Sequence, residues 1–450
     1  MQKKYHLIAV GGSVMHNVAI DLKDMGHIIT GSDDEIYEPS RSRLQAKSLL
    51  PEEMGWHPEK IDVTLDAVIL GKHARIDNPE LKKAQELGIP IYSFPEFISK
   101  HSKAKRRVCI AGSHGKTSTT AMIMHVLRKM DMTFDYLVGA KLDGFEKMVK
   151  ISDADVLICE GDEYPSSALD NRAKMLHYNA DISVITGMAW DHVNIYKTYE
   201  SYKDAFRRFL KSMPEHGVCF FDQSDEVLNH MMQNEIFDVK RISYDALEPN
   251  KKSVLEWEGN TYDLKVFGRH NMLNMNAARL VCAELGVSAD EFFNAMSDFK
   301  GAAKRLELIS ENKPVIYRDF AHAPSKCQAT VEAVRSRYGQ SKIKAILELH
   351  TFSSLDQKFI KNYKGTMNNA DEAIVFYDEH ALKMKKMPEL EAAKVANSFD
   401  HAHIEVISDP KHLAKAIKNS QNDGTEVLLI MSSGSLAGID LNQLLELQAE

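Results

Sequence analysis

Short apolar runs, each closed by glycine or by polar and acidic residues, recur along the chain. The first, at 5–10, leads into Gly11-Gly12 and a stretch in which Val14, Met15, Val18, Ala19 and Leu22 share one helical stripe. Gly26 closes that stretch, and 27–30 reads as a second strand ahead of Gly31-Ser32-Asp33. Strand, glycine turn, helix and strand is the order of a Rossmann-like unit. Further strands are expected at 67–70 and 89–92, and the polar run 101–107 reads as a linker.

The alternation resumes at Val108-Cys109-Ile110-Ala111, which enters a second glycine-rich turn. The helix after it carries Met122, Ile123, Val126, Leu127 and Met130 on its apolar face. Strands are expected at 156–159 and 182–185, each ending at polar or acidic residues. In a parallel sheet such ends face the active crevice. A last alternating segment has strands at 315–317, 345–347, 373–376 and 427–431, and its domain starts between 300 and 312. The expected fold is therefore α/β in three domains, at 1–106, 107–307 and 308–450.

Composition narrows the partners. With 450 residues and a formal charge of -8, the chain has no basic tail that would suit a nucleic acid. The five cysteines are widely spaced, with no CxxC pair, which fits buried thiols in a reducing compartment. The sequence contains no apolar stretch long enough to span a bilayer and no signal-peptide core, so a cytoplasmic location is expected.

Candidate chemistry gathers at strand ends. Gly112-Ser113-His114-Gly115-Lys116-Thr117 lacks the spacing of a full phosphate loop but keeps its core, between a strand and a helix. Glycines let amide donors converge on an anion, Lys116 can reach terminal phosphate oxygens, and Thr117 can offer a hydroxyl to Mg2+, with Ser118 beside it. Glu160 follows a strand and suits a hard divalent ion; Asp162 and Glu163 either shape that loop or stay solvated. Asp191-His192 is a second metal candidate, with His192 as ligand and Asp191 as its orienting group.

Further along, Asn271 and Asn274 share a helix face and can read an adenine edge, while His270 either stacks on a base or caps the helix. Arg305 either stabilises a phosphoryl group or forms a surface ion pair. Asp319 is a ribose candidate, and His322 either organises an acceptor or satisfies its own loop. In the first turn, Gly11, Gly12, Ser13, Met15, Ser32 and Asp33 are candidates for holding a diphosphate-bearing substrate, and a plain tight turn is the alternative.

GSHGKTS at 112–118, EGDEY at 160–164, DH at 191–192, GRHNMLN at 268–274 and DFAHAP at 319–324 together resemble the Mur ligase family. The resemblance implies a Rossmann-like UDP-sugar-binding domain, a central P-loop ATPase domain and a C-terminal α/β acceptor domain. It implies ATP and Mg2+ as cofactors and an acyl-phosphate route to an amide. On that route Lys116, Glu160, His192, Arg305 and His322 serve catalysis, and Thr117, Glu160 and His192 hold metal. The stretch 160–182 and the run after it are most similar to the branch that joins a recycled murein tripeptide to UDP-N-acetylmuramate. The branch that adds L-alanine to the same nucleotide sugar is the alternative. A non-catalytic nucleotide-binding protein is the alternative of another class. Gly187 stands where the family commonly has asparagine, Ala323 where it has a second histidine, and 347–359 departs from the basic, hydroxyl-rich acceptor signature.

Overall fold

The computed structural model describes residues 2–72, 74–139, 142–167, 169–190, 195–250, 253–302 and 304–445. Its three-domain α/β architecture rests, among those residues, on three main sheets and a small hairpin. The chain divides into two compact units, 1–245 with 276–292 and 246–275 with 293–450.

The first unit holds two sheets. One is parallel throughout, in the order Ile28–Ser32, Lys4–Ile8, Ala67–Leu70, Ile91–Ser93. The first strand stops at Ile8, short of the expected Val10, because Ala9 turns the chain at φ 64°. The amides of Ala9 and Val10 both donate to the Ser32 carbonyl, at 2.9 and 3.1 Å. The helix Met15–Asp24 buries Met15, Val18, Ala19 and Leu22 on the expected stripe. It also buries Asp21, whose carboxylate accepts the Ile151 amide at 2.8 Å and the Lys147 ammonium at 2.5 Å.

The segment expected as a linker is a short turn at 102–105 between two elements. His101 is the last residue of the helix Phe94–His101, and Arg106 already begins the next strand. Two arginines can open a strand here because their charges are met nearby. Arg106 pairs with Glu284 at 3.2 Å and Arg107 with Asp181 at 3.4 Å.

The second sheet runs Lys240–Tyr244, Val218–Asp222, Ile182–Ile185, Arg106–Ala111, Val156–Gly161, Asp135–Leu137, Val149–Lys150, with only the last pair antiparallel. The strand Arg106–Ala111 is central. Ala111 lies in register with both Gly161 and Ile185, so the loops leaving these strands emerge side by side. The helix Tyr199–Ser212 starts at a Thr198 capping box and buries Tyr202, Phe206 and Phe209 completely.

The second unit is built on a sheet ordered Glu307–Ser310, Val315–Asp319, Val427–Met431, Ile343–Glu348, Glu372–Phe376, Ile404–Ile407, parallel except for its first strand. The helix Pro324–Tyr338 begins on Pro324 and buries Cys327, Val331 and Val334. All five cysteines are free and buried. Among the described residues no helix is long and apolar enough to cross a membrane.

Candidate functional site

The glycine loop of the central sheet is shaped by its neighbour. Gly112 has φ 123°, and a Cβ there would lie 2.8 Å from the Thr186 amide nitrogen, so the two strand ends approach as only glycine permits. Gly115 caps the helix Lys116–Lys129 in the left-handed region, at φ 78°. The Ser113 amide donates to the Gly187 carbonyl at 3.0 Å, and the Ser113 hydroxyl receives the Ala189 amide at 3.0 Å. The Thr186 hydroxyl is bonded to the His114 carbonyl. Ser118 is buried in the helix's first turn. Residues 186–189 thus brace the loop from outside, in addition to its own contact between Ser113 Oγ and His114 Nδ1 at 2.9 Å.

Lys116 and Thr117 both face the carboxylates of the adjacent strand end. Thr117 Oγ1 donates to Glu160 Oε2 at 3.3 Å. Glu160 Oε1 is buried without a hydrogen-bond partner among the described residues. Burial raises the Glu160 carboxyl above its ordinary range, and Lys116 opposes that rise. A hydroxyl beside an orphaned carboxylate oxygen is a hard-oxygen donor set of the kind a divalent magnesium ion takes, so these residues fit that group. Asp162 is half-buried and paired: Lys174 meets it at 2.6 Å. Burial pushes Asp162 up, but Lys174 and Lys116 outweigh it and hold the carboxyl below its usual range.

Glu163, left open in the sequence between loop-shaping and solvation, is fully buried. Its carboxylate oxygens lie 3.1 and 2.9 Å from Lys116 Nζ, which also bonds the Gly112 carbonyl. Burial disfavours the Lys116 charge, yet Glu163, Asp162 and Glu160 together raise its pKa and keep it an ammonium. Sequence reasoning did not pair Glu163 with Lys116, and it gave Thr186 and Tyr202 no role at this site. Glu163 is 47 positions from Lys116 in the chain, and only the strand register brings the two together.

In the first sheet, Gly11 and Asp33 meet at the ends of neighbouring strands. The Gly11 amide donates to Asp33 Oδ2 at 2.7 Å, and the Gly12 amide to the Ala9 carbonyl at 3.3 Å. Burial, reinforced by Asp34 and opposed by the Gly11 amide, pushes the Asp33 carboxyl up to about 6. Met15 and Ser32 are buried, while Ser13 is exposed beside them.

The remaining candidates lie in the second unit. The Arg305 guanidinium stacks over the Phe320 ring at 4.4 Å, and the His322 ring meets the same ring edge-on at 5.3 Å. His322 Nδ1 donates to the Phe320 carbonyl at 2.8 Å. Asp319, expected at a ribose, uses its oxygens on the Leu306 and Ala321 amides, both at 2.6 Å. Asn271 and Asn274 are both buried, and the Asn271 amide donates to the Phe267 carbonyl at 2.9 Å. Burial pushes His270 down to about 4, and its Nδ1 has no hydrogen-bond partner among the described residues. Asp191 and His192 lie outside the described residues.

Family comparison covers most of the chain. The Mur ligase family catalytic domain matches residues 4–106, the Mur ligase middle domain 110–282 and the Mur ligase glutamate ligase domain 304–434. A UDP-N-acetylmuramate–L-alanine ligase of Caldicellulosiruptor saccharolyticus is 29% identical over 99% of this chain and 98% of its own. A UDP-N-acetylmuramate–L-alanyl-gamma-D-glutamyl-meso-2,6-diaminoheptandioate ligase of Haemophilus influenzae is 26% identical over 97% of each. Among solved structures, a murein peptide ligase of Psychrobacter arcticus superposes with TM-score 0.64 at 20% identity over 100% of both chains. A UDP-N-acetylmuramate–alanine ligase of Thermotoga maritima gives 0.64 at 21%, covering 97% of this chain and 96% of that one. At these identities the solved structures speak for the fold.

Proposed function

The chain belongs to the Mur ligase family, and from that premise we propose that it is an ATP-dependent carboxylate–amine ligase joining UDP-N-acetylmuramate to L-alanine. The observation that carries the phosphoryl-transfer part is the Thr117 hydroxyl set against Glu160 beside the Lys116 ammonium, at the mouth of a glycine loop. The acceptor assignment leans on the alanine-ligase relative, which matches this chain nearly end to end.

In the proposed reaction an oxygen of the lactyl carboxylate attacks the γ-phosphorus of ATP. The bond to the bridging oxygen breaks and ADP leaves, giving an acyl phosphate. The acceptor amine then attacks the carbonyl carbon, phosphate departs with the electron pair, and the nitrogen sheds a proton to leave an amide. Lys116 stabilises charge on the transferring oxygens, and Arg305 is proposed for the same developing charge. Thr117, Glu160 and His192 would hold magnesium, which when bound aligns phosphate oxygens and screens them from the incoming carboxylate.

The loop Gly112, Ser113, His114 and Gly115, with Ser118, is proposed to face the nucleotide phosphates through amides other than that of Ser113, which donates to the Gly187 carbonyl. Gly11, Gly12, Ser13 and Asp33 are proposed to cradle the nucleotide sugar. Asn271, Asn274 and His270 are proposed on the adenine side; His270 would act there as a neutral ring, since burial keeps it deprotonated. His322 is proposed to organise the acceptor.

A second reading keeps the same chemistry with a murein tripeptide as acceptor. It is favoured by the run 160–182, which is most similar to that branch, and by the Haemophilus relative. An acceptor panel decides between them: ATP, magnesium and UDP-N-acetylmuramate with either L-alanine or the tripeptide, read by product mass. Preferential alanyl product supports the leading reading, and preferential tripeptide product replaces it. No amide from either acceptor removes both.

A further inference from the structure

The Lys116 ammonium is already occupied. Glu163 Oε1 and Oε2 lie 3.1 and 2.9 Å from Nζ, and the Gly112 carbonyl takes a further bond. These partners use up the donors an ammonium possesses. Glu163 is held just as firmly from behind. Tyr202 Oη donates to its Oε1 at 3.2 Å, and Tyr196 Oη donates to its main-chain carbonyl at 2.7 Å. The two tyrosine rings meet edge to face at 5.2 Å, and Tyr202 packs in the same way on Phe206. The carboxylate is therefore a fixed, fully buried anion at the place where a phosphate-gripping lysine ends.

We infer that Glu163 is a positioning residue that competes with nucleotide phosphate for Lys116. Before nucleotide enters, it holds the ammonium against the Gly112 carbonyl. When phosphate arrives, Lys116 must surrender part of its bonding to Glu163. This inference deepens the proposed ATP site and rests on it. Two opposed effects follow from one side chain. A fixed negative charge so close to the phosphate position lowers nucleotide affinity, because like charges repel strongly in a dry, low-dielectric site. The same carboxylate keeps the lysine aimed, and an aimed charge lowers the barrier to phosphoryl transfer.

The test is calorimetric titration of magnesium–ADP into the full-length chain, with ligase turnover measured in parallel. Glu163→Gln keeps the shape and removes the charge, so it is expected to bind ADP about tenfold more tightly while turning over more slowly. Tyr202→Phe keeps the charge but removes a donor from the carboxylate, which then leans harder on Lys116, so weaker ADP binding is expected. A purely structural Glu163 would lower stability without tightening nucleotide binding. A folded Glu163→Gln variant with unchanged or weaker ADP affinity overturns the inference. Should that variant fail to fold, unchanged or tighter affinity in Tyr202→Phe overturns it. A wild-type chain that binds no ADP overturns the ATP reading itself, which is a separate result.

Discussion

The imidazole of His114 fills the space that a side chain on Gly187 would need. A Cβ at Gly187 would lie 2.8 Å from His114 Nε2 and 3.1 Å from Nδ1, and the backbone there has φ 147°. Gly187 is thus matched to the glycine loop packed against it.

Gly187→Ala should accordingly cost about 1–3 kcal/mol, from a disfavoured backbone and an overpacked contact. Part of that cost should return in the Gly187→Ala/His114→Ala double variant, because the clashing ring has gone. Urea unfolding of the wild type, both single variants and the double checks this. A single alanine variant as stable as wild type, or effects that simply add, would contradict the packing described.

Lys116→Ala is expected to abolish ligase turnover. The loop alone suggests that folding would be untouched, but the burial of Glu163 changes that expectation. Removing the ammonium strands a wholly buried carboxylate, at a cost of about 3 kcal/mol. Lys116→Met/Glu163→Gln should recover most of the stability and none of the activity. Thermal unfolding alongside product formation tests both halves. A Lys116→Ala variant with wild-type stability would show that the ion pair is not holding this part of the fold.

A third expectation concerns acid. His270 has its pKa depressed to about 4 by burial, against an ordinary value of 6.5. Between those values the unfolded chain binds the proton and the folded chain does not, so stability rises with pH across that window. The contribution is complete above about pH 6.5 and is lost as the pH falls toward 4, amounting to about 3 kcal/mol. His270→Gln should flatten this part of the stability profile measured by urea midpoints from acid to neutral pH. An equally steep profile in the variant would assign the acid sensitivity elsewhere.

Much of the architecture was readable along the chain. The strands Ala67–Leu70, Ile182–Ile185 and Val427–Met431 coincide with the expected runs because each is a short block, apolar but for Ser183, buried on both faces. The glycine turn between the strand Arg106–Ala111 and the helix Lys116–Lys129 was equally legible, since Gly112 and Gly115 to Thr117 lie within six positions. The segment 101–107 is a connecting turn only at 102–105, and its arginines already belong to a strand. Its charges look solvated in isolation, and their partners Asp181 and Glu284 are remote in sequence.

Local order, then, is what the sequence by itself determined: which stretches are apolar, where glycine permits a tight turn, and which residue types stand at strand ends. Partnership between distant side chains was decided only by the tertiary structure. Glu163 on Lys116, His114 over Gly187 and Asp33 on the Gly11 amide all depend on strand order and register. Burial energy follows from those partnerships, because a carboxylate or an imidazole is charged, neutral or strained according to what surrounds it. No spacing along a single chain encodes that surrounding until the sheet has brought the strand ends together.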